Sequence, residues 1–151
     1  MTPATGWARA AATVALVIAL DQGSKALVVS SIGRGESVNV FLGLDLTNTR
    51  NTGVAFGALE GSATIVGVLI GLALILLIGY FAVNAGRPRL WLPVGMLLGG
   101  ALGNLVDRVR EGAVVDFIDP VAWPAFNLAD SAIVIGVLGL LYVVESKPTP
   151  R

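Results

Sequence analysis

The sequence contains no cysteine and no histidine. Without cysteine there is no disulfide, no thiolate nucleophile and no zinc–thiolate site. Without histidine there is no Ser-His triad, no Cys-His dyad and no imidazole metal site. Charge is scarce as well. Only 13% of the 151 residues are Asp, Glu, Lys or Arg, well below the roughly 25% of a soluble domain. The 10 basic and 10 acidic residues cancel, which leaves no basic field for nucleic acid. Chemistry must use Asp, Glu, Lys, Arg, Ser, Thr, Tyr or the backbone.

Apolar residues fill the gap. They make up 55% of the chain, and mean hydropathy is +0.82. The composition is that of an integral membrane protein, and residues 1–151 read as one unit. A spanning helix needs about 20 mostly apolar residues. Four stretches qualify, over residues 7–32, 63–83, 90–106 and 128–144. The first carries Asp21 and Lys25 where a cleavage region would lie, so it is read as a retained helix rather than a removed leader. Pro93 falls in the first turn of the third, where its missing N–H costs little.

Arg9, Arg87, Arg89, Lys147 and Arg151 fall on one side of a four-span chain, and Arg34, Arg50, Arg108 and Arg110 on the other. The excess of positive charge places both termini in the cytoplasm. Trp7, Tyr80, Trp91 and Tyr142 then form a belt at the cytoplasmic interface. The outer loops, roughly 33–62 and 107–127, are the long ones. The first includes "SVNVFLGLDLTNTRN", whose partial alternation suggests a small sheet on the outer membrane face. Gly112 and Pro120 would frame a loop over that face, and "SKPTPR" reads as a frayed tail.

The polar residues each admit a structural reading. Asp21 and Lys25 are spaced i, i+4, on one helix face, and suit an internal brace. Asn51, in "NTRNTGVAFG", suits an Asx-turn or a peptide-holding amide. Gly95, Gly99 and Gly103 recur every fourth residue and offer a smooth packing face. Asn104 and Arg108 are again i, i+4; a snorkelling arginine is the plain reading, but an asparagine at that depth needs a partner. Asn127 and Asp130 share a face at the start of the last span, where the helix dipole favours a negative charge. Asp119 opens a "DP" turn.

Asp116 and Asp130 stand on either side of a short loop that can return the chain and bring them together. Two close carboxylates share one proton. The ionised member can activate water while the protonated member polarises a carbonyl, which is aspartic-protease logic.

"DQGSK", "NTGVAFG", "GGALGNLVDR", "VVDF" and "FNLADSAI" occur in the order found in lipoprotein signal peptidase (signal peptidase II), a bacterial membrane aspartyl peptidase family, and the chain resembles that family from Asp21 to Ile133. The resemblance implies an all-α integral membrane fold of four transmembrane helices with a small extracytoplasmic β-sheet. It implies a catalytic dyad of Asp116 and Asp130. Asn51, Asn104, Arg108 and Asn127 would line the site and hold substrate, with Asp21 and Lys25 supporting it. The implied substrate is a diacylglyceryl-modified prolipoprotein, cut just before its lipidated cysteine at the outer face of the cell membrane. No metal or cofactor is expected. Membrane lipids and globomycin-type inhibitors are the other implied ligands, and a monomer is the expected state.

Other classes remain open from the residues alone. A small proton-coupled transporter would use Asp21, Lys25, Asp107 and Asp130 as midplane sites, but no inverted repeat is visible. A magnesium enzyme would gather Asp107, Asp116 and Asp119. A structural bundle would leave Asn104 and Asn127 unexplained.

Overall fold

The computed structural model describes residues 1–53 and 63–146. Val54–Gly57 of the "NTGVAFG" motif, Glu60, and the tail with Lys147 and Arg151 lie outside the described residues. The elements are α1 (Pro3–Ser31), β1 (Ser37–Phe41), β2 (Leu44–Asn51), α2 (Ala63–Asn84), α3 (Trp91–Glu111), β3 (Val114–Pro120) and α4 (Leu128–Glu145).

Several helix ends have a local reason. Thr2 caps α1 by accepting the Thr5 N–H, and Pro3 takes the first helical position. Asn127 caps α4. Gly112 closes α3 in the left-handed region at φ 72°, which a side chain would resist. The helix therefore runs past Asp107 and Arg108, which the sequence suggested as its end. Its last turns stay helical because Asp107 is buried and paired.

Among the described residues, three helices are long and apolar enough to cross a membrane: Pro3–Ser31, Gly67–Asn84 and Leu128–Glu145. Their outward side chains, among them Leu16, Leu27, Leu72, Ile75 and Leu138, are exposed apolar groups, as a lipid-facing surface requires. α3 differs because it packs between α1 and α4. Its surface meets protein, so it can carry glycine and polar groups. A Cβ on Gly95 would meet Thr13 at 2.6 Å, one on Gly99 would meet Val17 at 2.8 Å, and one on Gly100 would meet the Ala129 carbonyl at 2.5 Å. The glycine stripe thus brings α1 and α4 close enough to α3 for their polar groups to touch.

Two apolar clusters fix the ends. Ala10, Phe81, Ala85, Leu90, Val94, Leu98 and Val143 bind all four helices together at one end. Trp7 meets Phe81 edge-on at 4.8 Å, and the Arg9 guanidinium lies over Trp91 at 5.6 Å. Arg87 reaches across to the Val143 and Val144 carbonyls. At the other end Val28, Ile32 and Phe117, with Leu46, Ile118 and Leu128, hold the sheet against α1 and α4.

The sheet is antiparallel in the order β1-β2-β3. The expected β character of the first outer loop is present as β1 and β2. The stretch between Gly112 and Pro120, expected as a loop, is instead β3. It pairs with β2 in a register that sets Thr49 opposite Asp116 and Asn51 opposite Val114. A register shift between Leu46 and Thr49 turns Thr47 and Asn48 inward, where Asn48 donates to the Ile32 carbonyl at 2.6 Å.

Candidate active site

Side chains alternate along a strand, so Thr49 and Asn51 share the face of β2 that meets Asp116. Asn51 lies diagonal to Asp116 and donates from Nδ2 to its Oδ2 at 3.0 Å. Asn51 Oδ1 accepts the Gly53 N–H at 3.0 Å, which is the Asx-turn geometry the sequence suggested.

Asp116 accepts on its other oxygen from Asn127 Nδ2 at 2.7 Å. Asn127 is wholly buried and does two things. Its Oδ1 accepts the Asp130 N–H at 2.9 Å, while Asp130 Oδ2 accepts the Asn127 N–H at 3.2 Å. This reciprocal capping box fixes the first turn of α4 and the Asp130 carboxylate together. The Asn127 amide also reaches Asn104 Oδ1 at 3.1 Å and the Val115 carbonyl at 3.2 Å. Asn104 in turn donates from Nδ2 to Asp130 Oδ1 at 2.8 Å. The two carboxylates are thereby linked through two amides.

Behind this layer lies a closed ionic group. Lys25 sits between Asp21 and Asp107, 2.8 Å from a carboxylate oxygen of each, and donates to Asn104 Oδ1 at 3.0 Å. Asp21 accepts the Ala129 N–H with its second oxygen at 3.0 Å, pinning the start of α4. Asp107 accepts the Val115 N–H at 3.2 Å, pinning β3. Gln22 bridges Asp107 Oδ1 at 2.8 Å and Asp21 Oδ2 at 3.2 Å. Gly103 makes room, since a Cβ there would meet Asp21 Oδ2 at 2.7 Å. Buried charges persist only when paired and hydrogen-bonded, and every member here is.

Asp116 and Asp130 both line one cavity of about 670 Å³, together with Asn51, Asn104 and Arg108. Its walls add Ile70 of α2, Ile133 and Val134 of α4, and Trp123 and Phe126 of the segment after β3. Arg108 donates to the Gly53 carbonyl at 3.3 Å and to the Asn104 carbonyl at 3.4 Å, so it ties the end of β2 to α3. Burial pushes the Asp116 carboxyl up to about 6 from an ordinary 3.8. The Asn51 and Asn127 donors oppose that rise, and the nearby charge of Asp130 adds to it.

The structure thus gathers Asp116, Asp130, Asn51, Asn104, Arg108 and Asn127 in one place, with Asp21 and Lys25 behind them. It separates the carboxylates that a magnesium site would need. Asp107 is held by Lys25 and Gln22, while Asp119 lies at the end of β3, opposite Asp45 and just before the turn. The transporter set fares no better, because Asp21, Lys25 and Asp107 hold one another in a buried ion cluster. Sequence reasoning missed Gln22 and the pairing of Asp107. A signal existed in both cases: Gln22 adjoins Asp21, and Asp107 stands i, i+3 from Asn104 on one helix face.

Comparison with known proteins gives the family of the chain. The family model described as "Signal peptidase (SPase) II" matches residues 13–145. The chain is 46% identical over 129 residues to the lipoprotein signal peptidase of Moorella thermoacetica, covering 84% of this chain and 86% of that protein. It is 42% identical over 136 residues to that of Halothermothrix orenii, covering 89% and 94%. Among solved structures, a bacterial membrane enzyme determined by the in meso method superposes with a TM-score of 0.83 at 30% identity, over 94% of each chain. A second, at 32% identity, gives a TM-score of 0.81 over 92% of this chain and 94% of that one. The chain belongs to the signal peptidase II family, and is a multi-pass membrane protease of that class.

Proposed function

We propose that the protein removes the signal peptide from diacylglyceryl-modified prolipoproteins, cutting before the lipidated cysteine with Asp116 and Asp130 as the catalytic dyad. One observation carries this reading. The two aspartates line one cavity and are tied through Asn127 and Asn104.

The dyad holds one proton. The raised carboxyl of Asp116 carries it, and Asp130, in the first turn of α4, takes the part of the base. Water attacks the scissile carbonyl carbon while Asp130 takes its proton. Asp116 gives its proton to the carbonyl oxygen, so the tetrahedral intermediate forms without a free oxyanion. The intermediate then collapses. The C–N bond breaks, the amine of the cysteine receives a proton from the Asp130 carboxyl, and Asp116 recovers its own from the hydroxyl. The products are a signal peptide ending in a carboxylate and a lipoprotein beginning with the lipidated cysteine.

Asn51 and Arg108 hold the substrate backbone, and the Asp21–Lys25 pair with Asp107 keeps Asn104 and β3 in place. All four helices cross the bilayer as a single transmembrane peptidase domain, with both termini cytoplasmic and the cavity near the extracytoplasmic face of the bacterial cell membrane. Supporting this, Trp7, Tyr80, Trp91 and Tyr142 lie on the end of the bundle away from the sheet. The cavity wall of Ile70, Ile133 and Val134 suits acyl chains that stay in the lipid. Globomycin-type cyclic peptides would occupy the same cavity, and the monomer suffices because every site residue comes from one chain.

The substrate assignment is tested with purified protein and one prolipoprotein in two forms, diacylglyceryl-modified and unmodified. Cleavage of the modified form alone, with the lipidated cysteine at the new N-terminus by mass spectrometry, is expected. Equal cleavage of both forms would overturn it.

A further inference from the structure

The sheet ends in two apolar loops that the site does not use in full. The β1–β2 turn exposes Phe41 by 71% and Leu42 by 91%, and the segment after β3 exposes Val121 by 84% and Trp123 by 60%. The two loops are adjacent, because the Val121 N–H donates to the Gly43 carbonyl at 3.1 Å and Leu44 pairs with Pro120. Neither loop carries a charge: residues 40–44 and 120–129 contain no Asp, Glu, Lys or Arg. Large apolar groups gathered in this way on a protein surface mark a contact site.

Their surroundings point to lipid as what they contact. Trp123 lines the same cavity as Ile70 of α2 and Ile133 and Val134 of α4, and Val134 is itself an exposed group on a membrane-crossing helix. The loop surface therefore continues into the lipid-facing surface of the bundle. Only residues 121–127 separate β3 from α4, so the tip cannot stray far from the start of that helix. Directly behind the tip, Asp45 and Asp119 face each other across the ladder, and Asn39 donates to Asp45 at 2.6 Å. A polar band behind an apolar end limits how deep such a wedge can go. Tryptophan at its margin suits the level of the headgroups.

We propose that Phe41, Leu42, Val121 and Trp123 form a two-loop wedge that enters the bilayer at the headgroup–acyl boundary. The wedge anchors the sheet that carries Asn51 and Asp116, and so holds the cavity at the depth of the membrane surface.

The absence of cysteine gives a clean test, since Leu42→Cys and Val121→Cys each create a unique labelling site. Each full-length variant is labelled with an environment-sensitive fluorophore and reconstituted into phosphatidylcholine vesicles. Quenching is compared between aqueous iodide and phospholipids bearing a nitroxide near the top of the acyl chain. Blue-shifted emission, with lipid quenching several-fold stronger than iodide quenching at both sites, is expected. Strong iodide quenching with little lipid quenching would overturn the proposal by placing the tip in water. Protection from both quenchers would overturn it too, by showing that protein, such as a second copy of the chain, covers the tip.

Discussion

The ammonium of Lys25 lies 3.0 Å from the side-chain oxygen of Asn104, and together with the Asn127 amide on the same oxygen it sets which way the Asn104 amide faces. An ammonium can only donate. The oxygen of Asn104 must therefore turn toward Lys25, which leaves its NH2 to meet Asp130 at 2.8 Å. A residue of α1 thus orients a hydrogen bond to Asp130 without touching it.

Replacing Lys25 with methionine removes the cation between Asp21 and Asp107, both almost fully buried. Losing one partner of a buried ion pair costs about 3–5 kcal/mol. The Lys25→Met protein is expected to unfold at markedly lower temperature in detergent, and to lose kcat because the Asn104 amide loses one of the two donors that orient it. Thermal unfolding and single-turnover cleavage check the two effects. Wild-type values of both would show that the cluster does not brace the site.

The raised carboxyl of Asp116 gives a pH signature. The proposed dyad is active with one proton, and Asp116 loses that proton as pH rises through about 6. Activity, read as kcat/KM, should therefore fall across that range. Stability should follow the same direction. A group whose folded value lies above its unfolded 3.8 binds its proton more tightly in the native state, so its contribution is full below 3.8 and is lost as pH rises through about 6. Thermal unfolding of wild type should show a downward slope over this window, and Asp116→Asn should flatten it. A rising kcat/KM over the same range would assign Asp116 the ionised role instead.

Asn127 serves both the helix and the proposed dyad, and two substitutions separate these. Serine can still accept the Asp130 N–H as a cap, whereas alanine cannot, so Asn127→Ala should be less stable than Asn127→Ser by about 1 kcal/mol. Both lose the donor to Asp116 Oδ1, and an acceptor left unpaired costs about 1–3 kcal/mol more. Both should therefore be poor enzymes, although they differ in melting temperature. Measuring the two properties side by side checks this, and an active Asn127→Ala would contradict it.

Much of this was legible in the sequence, and the exceptions share a cause. The apolar stretches marked the helices, and the i, i+4 spacing of Asp21 with Lys25 marked a pair that the structure contains. The short return between Asp116 and Asp130 suggested their meeting. Contacts between distant segments were not legible. Asp107 looked like the charged edge of a span, yet it is buried and paired with Lys25 and Gln22 of α1, and α3 continues to Glu111. β3 looked like a loop because its partner strand lies far upstream, where Asn51 meets Asp116 across 65 residues. Local pattern describes a helix well, but a strand depends on a neighbour that the pattern does not name. α3 was equally hard to bound, since a helix packed between two others needs no lipid-facing stripe.

The measurement that bears most directly on the dyad is a gel-shift cleavage assay with purified protein and a diacylglyceryl-modified prolipoprotein. Wild type, Asp116→Asn, Asp130→Asn and Asp119→Asn are run together, with and without EDTA. Cleavage should be lost in the first two variants, persist in Asp119→Asn, and be indifferent to the chelator. Activity surviving in either Asp116→Asn or Asp130→Asn would show that the chemistry rests on other carboxylates.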